Sequence, residues 1–174
     1  VARLALFFTL AAVHTWPLVL APGSWTRHDN ADAPLNAWIL SWVAHALPRD
    51  PLHLFQANIF FPERDTLAYS EHLFVPALMG APAAWLGAGP VLVHNLVLLL
   101  GLTLTGWAVC QLLTRWTGDA WAGVLAGSLA AFNAHTLTRL PHVQAMHVEF
   151  LPLALLALDR VIVGGGSRDR KLLV

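Results

Sequence analysis

The sequence predicts an all-α fold, a polytopic transmembrane helical bundle with interfacial helices in a long first outer loop, on three observations. Of 174 residues, 57% are hydrophobic and only 11% charged, against about 25% charged residues in a soluble domain. Mean hydropathy is +0.60. Eight Trp and eleven Pro accompany this apolarity, as in proteins that set aromatic rings at both membrane interfaces. Ten Lys and Arg balance ten Asp and Glu, so no basic stripe supplies the phosphate contacts that dominate nucleic-acid binding. The lipid bilayer, and not nucleic acid, is the expected partner. A single cysteine, Cys110, excludes an internal disulfide framework or a Cys-rich zinc site. Its apolar surroundings predict a buried thiol.

Crossing a hydrocarbon core about 30 Å thick takes roughly 20 mostly apolar residues in a helix. Residues 4–21 form the first such run, closed by Pro22 and Gly23. A cleaved signal peptide is the alternative, since Arg3 precedes it, but the run exceeds the usual apolar region of about 7 to 15 residues and favours a retained helix. Residues 23–90 then form the outer loop. Within it Leu35, Trp38, Ile39, Trp42, Val43, Ala46 and Leu47 recur every three or four positions, while Asn36, Ser41 and His45 fall off that stripe. This is an amphipathic, interfacial helix over 34–47, with Pro34 suited to its first turn and Pro48 and Pro51 to its end. Residues 52–61 are too apolar for a loop free in water and are expected to pack on the membrane face or under that helix.

Residues 73–86 carry Pro76 and Pro82 and read as a re-entrant or interfacial hairpin. If they do not cross, Arg3, Arg115, Arg160, Arg168, Arg170 and Lys171 share one side, as the positive-inside rule requires. Further spans follow at 91–113, 120–134 and 148–163, with a second outer loop at 135–147. Gly123 and Gly127 in the third span form a small-xxx-small pair, which lets helix backbones approach closely. The chain lacks an initiating Met and stops where another apolar segment would begin, so residues 1–174 are expected to be one transmembrane domain at the N-terminal end of a longer protein. A flexible linker, 164–167, precedes the basic tail.

The unusual polar residues gather in the loops. Asp32 stands at a helix start, where backbone N–H groups and the dipole stabilise an anion. Capping the helix N-terminus or pairing with its dipole is its plain reading; a general base or metal ligand at the membrane surface is its functional one. Asp29 and Asp32 together could share a divalent cation, but hard cations want six or more oxygens, so a cation is compatible with the sequence and not required by it. His135, His142 and His147 lie at spacings unlike those of a helical zinc pair. His14, His94 and Asn95, inside spans, read as structural hydrogen-bonding groups, and Glu149 as a dipole partner at a helix start.

The order of parts resembles that of bacterial membrane proteins of the GT-C glycosyltransferase superfamily, nearest to its YfhO-like and related branches. The likeness rests on an early apolar helix, the stretch Ala31-Asp32-Ala-Pro-Leu-Asn-Ala-Trp-Ile-Leu-Ser-Trp42, then Asn58-Ile-Phe-Phe-Pro-Glu63, Tyr69-Ser-Glu-His72, Arg139-Leu-Pro-His-Val-Gln144 and Leu151-Pro-Leu-Ala-Leu-Leu156. It runs from about Leu4 to Arg160. It implies an inverting, integral membrane glycosyltransferase at the outer face of the bacterial plasma (inner) membrane, moving a sugar from a polyprenyl-phosphate-linked donor to an acceptor. Asp32 matches the acid that serves as base, although Ala31 stands where many members have Gly. Asp29, Glu63, Glu71, His72, Arg139, His142 and Gln144 are the residues expected to contact substrate.

The chemistry has its own logic. Glycosyl transfer passes through an oxocarbenium-like transition state, and a carboxylate near the acceptor hydroxyl removes its proton as the new bond forms. Arg139 and Arg64 are candidates to balance the departing phosphate. A multi-pass transporter or flippase, or a non-catalytic relative, is the alternative. A transporter predicts ionisable residues at mid-membrane, whereas the acids here gather outside the expected spans.

Overall fold

The computed structural model describes residues 1–27 and 31–164. Asp29 and the linker and basic tail beyond residue 164 therefore lie outside the described residues. Among those described there are seven α-helices and no strand: α1 (Ala2–His14), α2 (Asp32–Ala46), α3 (Phe74–Trp85), α4 (Pro90–Thr117), α5 (Ala120–Ala131), α6 (Ala134–Thr138) and α7 (Phe150–Gly164). Single 3-10 turns occur at Leu18–Leu20, Pro51–His53, Thr66–Tyr69 and Val143–Met146.

The helical class agrees with the sequence, but the polytopic transmembrane bundle does not. Among the described residues only α4, with 28 residues and about 42 Å of rise, is both long and apolar enough to cross a membrane. The run 4–21 gives a helix of 13 residues, about 20 Å. It stops before Pro17, whose ring disfavours helical geometry at the preceding residue and whose nitrogen has no proton to donate. The run 120–134 stops at Ala131, because the Asn133 carboxamide instead accepts the Thr136 N–H at 3.0 Å and starts α6. The run 148–163 yields a helix of 15 residues broken in composition by Asp159 and Arg160. The charge count that made 23–90 and 135–147 outer loops rested on four crossings and falls with them.

Two further expectations are corrected. Residues 73–86 form one continuous helix, α3, and not a hairpin, with Pro82 inside it and Pro76 in its first turn, where no backbone donor is needed. The face of α2 that is buried is wider than the expected stripe. Ile39, Val43 and Ala46 of that stripe are buried, but so are Ala33, Asn36, Ala37, Leu40 and Ala44, while Leu35 is exposed. The apolar residues of α2 run almost all round it, so its partner helix α3 and one polar contact decide which face goes inward.

The chain divides into two compact units. The first holds, of the described residues, 1–14, 100–138 and 145–164. Here the small residues of α5 do what their spacing predicted. A methyl on Gly123 would meet Thr114 Oγ1 and stand 2.6 Å from the Cys110 carbonyl oxygen; one on Gly127 would meet the Gly106 carbonyl and the Phe7 ring. Arg3 donates to Gln111 Oε1 at 3.0 Å, and Arg115 pairs with Asp159. His14 stacks on Phe132 with ring centroids 4.4 Å apart, and Cys110 is buried. Gly118, at φ +73°, terminates α4 in the left-handed region that glycine adopts without strain.

The second unit holds 15–99 and 139–144. Its core is α2 packed on α3, joined where Trp85 Nε1 donates to the Ala44 carbonyl at 2.9 Å. Gly80 admits Val93 and Val97 of α4 against α3. Asn95 donates to the Pro22 and Trp25 carbonyls at 2.7 and 2.6 Å, the structural role its sequence position suggested. Trp42 Nε1 donates to the Leu54 carbonyl, which fastens the apolar stretch after residue 51 to α2.

Candidate active site

The polar residues of the second unit gather at the N-terminal ends of α2 and α3, where segment 139–144 joins them. Leu140, Pro141 and Val143 are buried and anchor the segment. His142 and Gln144 alternate with them and remain partly exposed. The segment is fixed by Asn36, one turn along α2 from Asp32, whose Nδ2 donates to the Pro141 carbonyl at 2.6 Å. The sequence pattern placed Asn36 on the outer face of its helix and missed this role. The one signal that could have found it is its i, i+4 spacing from Asp32, which puts both polar groups on one side of α2.

That anchorage brings together four of the residues singled out beforehand. Asp32 is the first residue of α2, and its carboxylate Oδ2 lies 3.7 Å from His142 Nε2. The distance suits an ion pair and is too long for a direct hydrogen bond. Both side chains are close to half exposed, 46% and 43%, so a ligand can reach either. Two residues further on, Gln144 Nε2 donates to Glu71 Oε1 at 3.1 Å. Its Oε1 is buried and has no hydrogen-bond partner among the described residues. The cluster thus offers two carboxylates, an imidazole and an unused amide oxygen.

The other expected site residues stand differently. His72 Nδ1 accepts the Phe74 N–H at 3.1 Å and its ring meets Phe55 edge-on at 5.8 Å, so it helps to start α3. Glu63 and Arg139 are exposed and make no side-chain hydrogen bond to the cluster among the described residues. Arg64 is exposed as well. No group of three or more His, Cys, Asp or Glu side chains among the described residues converges as a metal site would. His135, His142 and His147 accordingly form no triad: His147 lies in the first unit, where its Nδ1 is 2.9 Å from Glu149 Oε1.

That pair is the feature the sequence reading passed over. The side chains of His147 and Glu149 are only 3% and 2% exposed. Thr105 Oγ1 lies 2.9 Å from the Met146 carbonyl and 3.3 Å from Glu149 Oε2, and accepts the Val148 N–H at 3.1 Å. Gly101 makes room for the imidazole, since a methyl there would stand 3.0 Å from His147 Nε2. Glu149 is therefore more than a partner for a helix dipole. Glycine and threonine four apart on α4 were the available signal, hidden inside an apolar run.

Comparison of the chain with protein-family models, with curated proteins and with solved structures finds no match in any of the three.

Proposed function

We propose that Asp32 is the general base of a glycosyl transfer at a membrane face, from a polyprenyl-phosphate-linked sugar to an acceptor hydroxyl. The observation that carries this reading is the approach of Asp32 to His142, two ionisable side chains from distant parts of the sequence, both open to a ligand. In the reaction the acceptor O–H loses its proton to the Asp32 carboxylate while its oxygen bonds to the anomeric carbon, and the lipid phosphate leaves with the electron pair of the broken C–O bond. Such a base contributes about 10²- to 10⁴-fold. His142 sits where it can hold the charge of the carboxylate and orient it. Glu71, exposed and held by the Gln144 amide, can accept hydrogen bonds from sugar hydroxyls. Arg139, exposed at the head of the segment that carries His142, is the candidate cation for the phosphate.

Placement at the bacterial plasma membrane rests on α4. In a Cys110→Ser background, Gly89→Cys and Trp116→Cys, which flank or end that helix, should label from opposite sides; labelling of both from one side would remove α4 from the bilayer. Asp32→Asn should lower sugar transfer at least about 10²-fold while membrane association and helicity persist. Turnover at the wild-type rate would end the proposal.

A transporter is the second reading, favoured by the buried His147–Glu149 pair against the middle of α4, since ionisable groups at membrane depth usually mark a pathway. Solute uptake into proteoliposomes that is lost in Glu149→Gln and retained in Asp32→Asn would favour it over the transferase.

A further inference from the structure

At the C-terminal ends of α2 and α3 the second unit has an open cavity of about 790 Å³, within the range of about 300 to 1,000 Å³ that small-molecule sites occupy. Apolar surface from Ala84, Trp85, Ala88 and Pro90 makes up most of it, and its polar groups include Arg49 and His45. No acidic side chain lines it. Helix C-termini ordinarily present unpaired carbonyl oxygens and a partial negative charge. Here most of those oxygens already accept a hydrogen bond. In α2 the Val43 carbonyl accepts from Leu47 N–H, Ala44 from Trp85 Nε1, His45 from Arg49 Nη1, and Ala46 from the Arg49 and Asp50 N–H groups. In α3 the carbonyls of Pro82, Ala83 and Ala84 accept from Leu86, Ala88 and Gly87.

The outcome is a cavity whose ionisable lining groups, Arg49 and His45, carry donors and no carboxylate, beside a Ser41 hydroxyl that donates to the Ala37 carbonyl. Arg49 spends one N–H on its own helix and keeps the rest of a five-donor fork, with its full charge, at the edge of an apolar wall. His45, one turn back, adds an ionisable ring. Guanidinium forks match phosphate oxygens in geometry as well as charge. We infer that this cavity binds a phosphate ester borne on an apolar chain, with the phosphate on Arg49 and His45 and the chain along Trp85, Ala88 and Pro90. This lipid-phosphate site is separate from the Asp32 cluster, being at the other end of α2, a helix of 15 residues and about 22 Å.

Calorimetric titration of the full chain in neutral detergent tests the inference without any transferase assay, so its failure and that of the Asp32 reading are distinct. The probes are dioctanoyl phosphatidic acid, dioctanoylglycerol with the same chains and no phosphate, and inorganic phosphate. Phosphatidic acid should bind saturably, and at least about tenfold more tightly than either of the others. Arg49→Gln should weaken it about tenfold or more and Arg49→Lys less. Ala88→Trp, which fills the cavity and leaves α2 capped by Arg49, should weaken it similarly, and Asp32→Asn should leave it unchanged. Equal affinity for dioctanoylglycerol, or wild-type affinity in both Arg49→Gln and Ala88→Trp, overturns the site; equal affinity for inorganic phosphate overturns the lipid assignment.

Discussion

The two units each hold one histidine beside one carboxylate, and the two pairs differ in almost everything else. Asp32 and His142 stand 3.7 Å apart with nearly half of each side chain in solvent. Glu149 and His147 stand 2.9 Å apart, sealed from it, with Thr105 tying Glu149 to the backbone of Met146 and Val148, while His147 Nε2 is buried without a hydrogen-bond partner among the described residues. A solvated pair contributes about 0–1 kcal/mol, so the contact between Asp32 and His142 adds little to stability and both side chains stay exposed to solvent. Removing one member of a buried pair costs about 3–5 kcal/mol. The second pair holds a turn onto α4. A histidine beside a carboxylate is thus left open to solvent in one place and built into the architecture in the other, and burial separates the two.

Substitutions can break this contrast, and the largest effect is expected inside. Glu149→Ala should destabilise the chain by about 3 kcal/mol or more, read as a fall in the thermal midpoint in detergent; an unchanged midpoint would mean that the buried pair is not formed. Thr105→Val, nearly isosteric, leaves Glu149 Oε2 and the Val148 N–H short of a partner and should cost about 1–3 kcal/mol. Asp32→Ala, by contrast, should move the same midpoint by less than about 1 kcal/mol. A loss as large as that of Glu149→Ala would make Asp32 a structural residue and would erase the distinction.

What could be read from the sequence follows the range over which each signal acts. α4 is a long run without breakers and emerges within a few residues of where hydropathy puts it. The Gly123 and Gly127 contacts follow from spacing along a single helix. The short helices were misjudged because hydropathy counts residues and does not register a stop. Pro17 ends α1, and Asn133 turns the chain into α6, inside windows that are apolar on average. Of the site, Asp32, Glu71, His142 and Gln144 were named in advance, yet their meeting depends on Asn36 holding Pro141, a contact across more than a hundred residues that no local pattern encodes. Arg49 was overlooked because its donors matter only once the carbonyls around it have been satisfied by Trp85 and by the turns after each helix.

The Phe7 ring touches the places where Gly106 and Gly127 have no side chain, so three helices share one small volume. Bulk in that volume is a common quantity, and no one position owns it. A methyl at 106 meets only the phenylalanine ring, so trimming position 7 would release the room it needs, whereas one at 127 also meets the Gly106 carbonyl and has no such remedy. Sequence change at positions 7 and 106 should therefore arrive together, and a variant that looks ruinous alone at 106 should be rescued by a second one far away in the sequence.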